Sequence, residues 1–146
     1  FLRDKTWLSD RDSKHAIDVL DYSNIKSKMK YGLLPHQAEV FKKYETIKVM
    51  AGLRGFMMDI PAGGGKTFSS LALGEALGYN NIIIIAPSNT LENVWVKSVT
   101  EELYKSPQPY HLLTSKNKDY KKERFLIFSY ETLDKINKDK KLLRLL

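Results

Sequence analysis

A run of three glycines between an apolar segment and a helix-forming segment restricts the possible folds of this chain more than any other feature. The stretch is Ile60-Pro61-Ala62-Gly63-Gly64-Gly65-Lys66-Thr67. Before it, Gly55-Phe56-Met57-Met58-Asp59 predicts a short buried strand, and after it Phe68 to Leu77 predicts a helix. Strand, glycine-rich turn and helix are the setting of a phosphate-binding loop. Glycines let the backbone curl until successive N–H groups face one anion, and the helix N-terminus adds positive partial charge. Gly63, Gly64, Gly65, Lys66 and Thr67 are therefore the candidate nucleotide-binding residues. Lys66 is placed to reach the β- and γ-phosphates and the Thr67 hydroxyl to ligate Mg²⁺, which makes these two the catalytic candidates and Thr67 the metal candidate. The full pattern opens on Gly, and here that position is Ile60.

The bulk numbers describe an ordinary globular chain. It has 146 residues, 42% hydrophobic and 28% charged, enough for one domain with a real core. No apolar run approaches the ~20 residues of a membrane span, and the charged first residues do not resemble a secretory leader, so an intracellular protein of cytoplasm or nucleus is expected. There are no cysteines, which excludes disulfides and thiolate metal sites. His15, His36 and His111 show no metal-ligand spacing. The net charge of +7 is uneven: +2 in residues 1–31, zero in 32–113 and +5 in 114–146. A basic end fits either a polyanionic partner or a solvated Lys-rich face.

Residues 1–31 predict an N-terminal extension of weak helical character. From there the pattern alternates. Leu33-Leu34-Pro35-His36-Gln37 introduces a helix, since Pro suits a first helical turn. Asn81 to Ala86 is a β-branched run typical of a strand buried on both faces. Asn89 with Glu92 resembles a helix-capping pair, opening a helix to about Leu103 that would bury Leu91, Val94, Trp95 and Val99. Tyr110 to Leu113 and Arg124 to Tyr130 predict two more strands, and Glu131 to about Lys138 a closing helix. The expected fold is α/β, a mostly parallel sheet flanked by helices, with ligands at the carboxyl ends of the strands.

Several of these features occur in one order: Leu-x-Pro-x-Gln, the phosphate loop, an apolar strand ending in Ala86-Pro87-Ser88, a helix with Leu91 and Trp95, and a strand ending in Ser129-Tyr130-Glu131-Thr132-Leu133. The set, over residues 32–136, resembles the first RecA-like ATP-binding domain of superfamily 2 helicases and translocases, most like the Swi/Snf type. The resemblance implies an incomplete RecA-like P-loop NTPase lobe over residues 32–146 that uses ATP and Mg²⁺. It implies that Gln37 reads the adenine edge, as a side-chain amide can; Leu34 stands where the family often has Arg. It places Pro87, Ser88, Asn89, Ser129 and Tyr130 along a nucleic-acid backbone, DNA in the Swi/Snf case. Trp95 fits core packing better than base stacking.

The family's Asp-Glu pair, which holds Mg²⁺ and activates water, has no counterpart, because the chain contains no Asp-Glu dipeptide. Its arginine finger would come from a second RecA-like lobe. The chain is therefore expected to be the front part of a longer ATP-hydrolysing motor, truncated before the Asp-Glu strand and inactive alone. A nucleotide-gated nucleic-acid-binding module without hydrolysis is the alternative. A small-molecule P-loop kinase ranks below both, since 59 residues precede the loop.

Overall fold

The computed structural model describes residues 20–52, 55–114, 122–139 and 144. These fall into two compact units, divided mainly between Gly78 and Tyr79, with Lys28–Lys30 belonging to the second.

The first unit is helical. Helix α1 (Tyr22–Lys28) buries Ile25. Its start is capped by Asp21, whose Oδ1 accepts from the Ser23 N–H at 3.0 Å and from the Ser23 hydroxyl. These bonds hold the Asp21 carboxyl below the usual carboxylate range. The cap therefore persists above that range and is lost as pH falls through the lowered value. Helix α2 (Pro35–Ala51) begins with Pro at its first position and stops at Gly52, in the left-handed region at φ 62°. Gln37 reaches back to accept from the Leu34 N–H at 2.9 Å, half of a capping box, since an aliphatic Leu34 cannot reciprocate. Helix α3 (Lys66–Ala76) follows the glycine run and buries Phe68, Ser69, Leu71, Ala72, Glu75 and Ala76. Gly78, at φ 73°, donates to the Glu75 carbonyl and ends it. Helix α1 docks there: Asp21 N–H donates to Ala76 O at 2.8 Å and Asn24 Nδ2 to Glu75 O at 3.1 Å. The expected strand over 55–59 is corrected. Those residues carry no strand, and Met57 is 90% exposed. The Phe56 ring stands edge-on to Tyr44 of α2 at 5.4 Å instead. An apolar run does not specify a pairing partner, and here the Phe56 ring packs while Met57 stays in solvent.

The second unit is a three-stranded parallel sheet with helices. Strand β1 (Ile82–Ala86), β2 (Tyr110–Leu112) and β3 (Phe125–Ser129) lie in the order β1-β3-β2. The register runs Ile82 to Phe125 through Ala86 to Ser129, and Tyr110 to Phe125 through Leu112 to Ile127. Central β3 is buried at every residue. The expectation that β1 is buried on both faces is corrected: Ile83 and Ile85 are 48% and 38% exposed. Strand β1 stands at the edge of the described sheet; Ile84 and Ala86 are buried on one of its faces, and Ile83 and Ile85 stand exposed on the other. Between β1 and β2 run a 3₁₀ turn (Ser88–Thr90) and two wide, π-type helical segments (Leu91–Val96 and Ser98–Glu102). Leu91 and Val99 are buried, while Val94 and Trp95 are half-buried. Helix α4 (Tyr130–Lys138) buries Ile136 with Leu113, Leu126 and Phe128. The α/β architecture and mainly parallel sheet agree with the sequence. Most of the N-terminal extension, residues 1–19, and most of the basic end beyond Asp139 lie outside the described residues.

This arrangement separates two isoleucines. Ile127→Ala, at the centre of β3, is expected to cost about 2–5 kcal/mol. Ile83→Thr, on the open face of β1 and still β-branched, is expected to stay within about 0.5 kcal/mol. Urea unfolding of both variants checks the difference.

Candidate nucleotide site and strand-end pocket

Each glycine of the loop answers a different steric demand. Gly63 and Gly65 lie in the left-handed region, at φ 79° and 83°, where a Cβ meets the following carbonyl. Gly64 has an ordinary φ, but a Cβ there would strike the Cγ2 of Ile60 and approach the Pro61 carbonyl oxygen to 3.0 Å. Ile60 is 3% exposed. The departure from the usual first glycine is thus absorbed inside the loop, because the Ile60 methyl fills the space that Gly64 leaves empty. A Cβ on Gly65 would also come within 2.5 Å of Gln37 Nε2.

The loop is tied internally and to α2. Gly64 N–H donates to Pro61 O at 2.9 Å. The Gly64 carbonyl accepts from Gln37 Nε2 at 3.2 Å and pairs with His36 Nε2 at 3.0 Å. Gly65 caps α3, its carbonyl accepting from the Ser69 N–H at 2.9 Å. Lys66 is exposed and Thr67 half-buried, both in the first turn of α3. Two left-handed glycines, an open helix start and a solvated ammonium fit a polyphosphate. Among the described residues no cluster of three His, Asp or Glu could hold a metal ion. Thr67 presents a hydroxyl in the first turn of α3, an oxygen donor of the type Mg²⁺ takes.

Gln37 is 3% exposed. Its Oε1 is engaged by Leu34 and its Nε2 by Gly64. One N–H and one lone pair of the amide remain for any further partner. The bond from Gln37 to the loop was not foreseen from sequence. Its only signal was Gln at the third helical position, as in a capping box.

In the second unit, β1 and β3 end in register, Ala86 beside Ser129. The segments that follow them therefore share the carboxyl edge of the sheet. A pocket of about 450 Å³ opens there, with Ser88, Asn89, Asn93, Thr114, Ser129 and Thr132 as its neutral polar lining. Leu91, Leu112 and Leu113 supply apolar wall, and Glu92 is the one charged residue lining it. The structure thus brings together Ser88, Asn89 and Ser129, which the sequence singled out. It adds Thr114 and Thr132, which fall where sequence alone gave no chemical cue beyond a hydroxyl. Pro87 and Tyr130 do not line the pocket. The Pro87 carbonyl accepts from the Thr90 hydroxyl at 2.8 Å, and Tyr130 begins α4 with 57% of its surface exposed. The capping role expected of Asn89 is corrected: Thr90 precedes the helix, and no side chain caps it. Ser129 does cap α4, accepting from the Thr132 N–H at 3.2 Å, with the two hydroxyls 3.1 Å apart.

The family model of the type III restriction enzyme res subunit matches residues 30–145. The chain belongs to this family. That domain is the N-terminal ATPase domain of a superfamily 2 helicase, so the res-subunit family supplies a helicase-like, ATP-dependent ATPase lobe. The three-stranded parallel sheet with its helices is a partial RecA-like lobe. Members of the res-subunit family use ATP with Mg²⁺, in agreement with the loop. No curated protein and no solved structure matches the chain significantly. Among the described residues no helix is long and apolar enough to cross a membrane.

The geometry separates the two left-handed glycines. Gly63→Ala meets nothing within 4 Å and incurs only backbone strain, about 1–2 kcal/mol. Gly65→Ala incurs the same strain and also drives Gln37 from the Gly64 carbonyl. It is expected to cost about 1 kcal/mol more, and Gln37→Ala in the same chain should remove that excess. Chemical denaturation of the three variants measures it.

Proposed function

We propose that this chain is the ATP-binding lobe of a DNA helicase or translocase, similar to the Swi/Snf type, that couples hydrolysis to movement along nucleic acid. One observation carries the nucleotide-binding core of the reading: a loop of three glycines, two of them left-handed, delivers an exposed Lys66 to the start of an eleven-residue helix; the helicase part leans on the family match. Nothing in ordinary packing calls for that conformation beside a solvated ammonium.

In this reading the backbone of Gly63 to Gly65 binds the phosphates and Lys66 neutralises charge on their outer oxygens. Mg²⁺, when bound, offsets further phosphate charge, and Thr67 orients it. Gln37 selects adenine through the N–H and lone pair left over from its bonds to Leu34 and Gly64. The activating carboxylate and an arginine finger would come from other parts of the protein, including a second RecA-like lobe. Without them, residues 1–146 should bind nucleotide and not turn it over.

The strand-end pocket is the proposed contact with the nucleic-acid backbone, through Ser88, Asn89, Thr114 and Ser129, with Pro87 and Tyr130 flanking them. Hydroxyls and side-chain amides suit phosphate and sugar oxygens. No Lys or Arg lines the pocket, so binding there releases few counterions. The salt dependence would come from the basic end, where residues 114–146 carry +5.

Two outcomes follow. Lys66→Ala should weaken ATP binding at least tenfold with the melting temperature nearly unchanged, because the ammonium is solvated in the empty loop. Isothermal titration measures this, and equal affinity in the two proteins would refute the phosphate role. Asn89→Ala should weaken DNA binding while leaving the slope of log K against log salt unaltered. Neutralising Lys140 and Lys141 should flatten that slope by about 0.7–0.9 for each DNA phosphate that they neutralise in the parent. A salt series of fluorescence anisotropy checks both.

A further inference from the structure

We propose that His36 is a positioning residue for the phosphate loop, an inference that rests on the nucleotide-binding reading and deepens it. The Gly64 carbonyl has two acceptor directions, and two side chains of α2 meet it: His36 Nε2 at 3.0 Å and Gln37 Nε2 at 3.2 Å. A carbonyl oxygen only accepts, so His36 donates and its Nε2 carries the hydrogen. The Gly64 N–H is held as well, by Pro61 O at 2.9 Å. Glycine has no side chain with which to hold its peptides in place; the Pro61 bond restrains the peptide before Gly64 from within the loop, and the two α2 side chains restrain the peptide after it from outside.

The consequence falls on the next amide. The Gly64–Gly65 peptide is trans, as are all those described. In a trans peptide the C=O and the N–H point in opposite directions. Fixing the Gly64 carbonyl toward His36 and Gln37 therefore turns the Gly65 N–H away from α2, toward the open side of the loop. Gly65 directly precedes Lys66, so this amide belongs to the set that would meet the phosphates. Gln37 is buried and bonded at both ends, whereas His36 is exposed. No packing role accounts for an exposed imidazole that lies on a glycine carbonyl 28 residues away. Gln37 is shared between Leu34, the loop and the proposed base, so His36 is the donor on the Gly64 carbonyl with no second duty. His36 thereby governs affinity for the phosphates and not selection of the base.

Three substitutions separate these effects. His36→Phe keeps a ring without a donor, His36→Ala removes the side chain, and His36→Gln restores an N–H near the place of Nε2. Displacement of a fluorescent nucleotide by ATP, GTP and inorganic triphosphate gives three affinities for each protein. His36→Phe and His36→Ala are expected to weaken all three by about fivefold, the effect of removing one hydrogen bond, with the ATP to GTP ratio unchanged. His36→Gln should stay within about twofold of the parent. The proposal is overturned if the Phe and Ala variants bind inorganic triphosphate like the parent, if only the ATP to GTP ratio moves, or if Gln rescues nothing. A parent protein that binds none of the three overturns the nucleotide reading itself, and this proposal with it.

Discussion

Strand β3 is paired on both sides and buried along its whole length, and the rest of its unit depends on that pairing. Its register with β1 brings Ala86 level with Ser129. Because the strands are parallel, both chains leave the sheet at the same edge and in the same direction. The turn at Ser88–Thr90 and the start of α4 then have no choice but to be neighbours, and a polar pocket lies between them. Ser129 links the two levels. Its backbone ends the ladder, its hydroxyl caps α4 through the Thr132 N–H, and the same side chain lines the pocket.

In the first unit the comparable constraint is the Gly64 peptide. A triple-glycine loop is entropically expensive to order, and its own residues supply only the Gly64 to Pro61 bond. The remaining restraint comes from Ile60, which fills the space beside Gly64, and from α2. Pro35 starts that helix at a fixed place, and the residues directly after it, His36 and Gln37, reach the loop. The proposed phosphate site thus draws on two helices and one turn, with no strand in residues 55–59.

The sequence made much of this legible. The glycine run located the loop, Pro35 the start of α2, Gly78 the end of α3, and the isoleucine run β1. Each is a local signal with a local cause. What stayed hidden depends on partners far along the chain. Whether Ile83 and Ile85 are covered depends on which element, if any, packs on that face of the sheet. Whether Phe56 to Asp59 pairs as a strand depends likewise on an edge elsewhere, and periodicity carries no such information. The Gln37 to Gly64 bond spans 27 residues, and nothing in the composition of either segment announces it. Thr114 and Thr132 became candidates only when the sheet placed them on one wall.

The central claim is that the backbone of residues 63–67 forms a phosphate nest at the start of α3. Its most direct test is hydrogen–deuterium exchange, resolved to single amides, with and without saturating Mg²⁺ and ATP. The account predicts slower exchange at Gly63, Gly65, Lys66 and Thr67 when nucleotide is bound, with Gly65 protected most, whereas the Gly64 N–H is already held by the Pro61 carbonyl. Saturating binding that leaves these four amides exchanging at their nucleotide-free rates, while protection appears elsewhere, would contradict it.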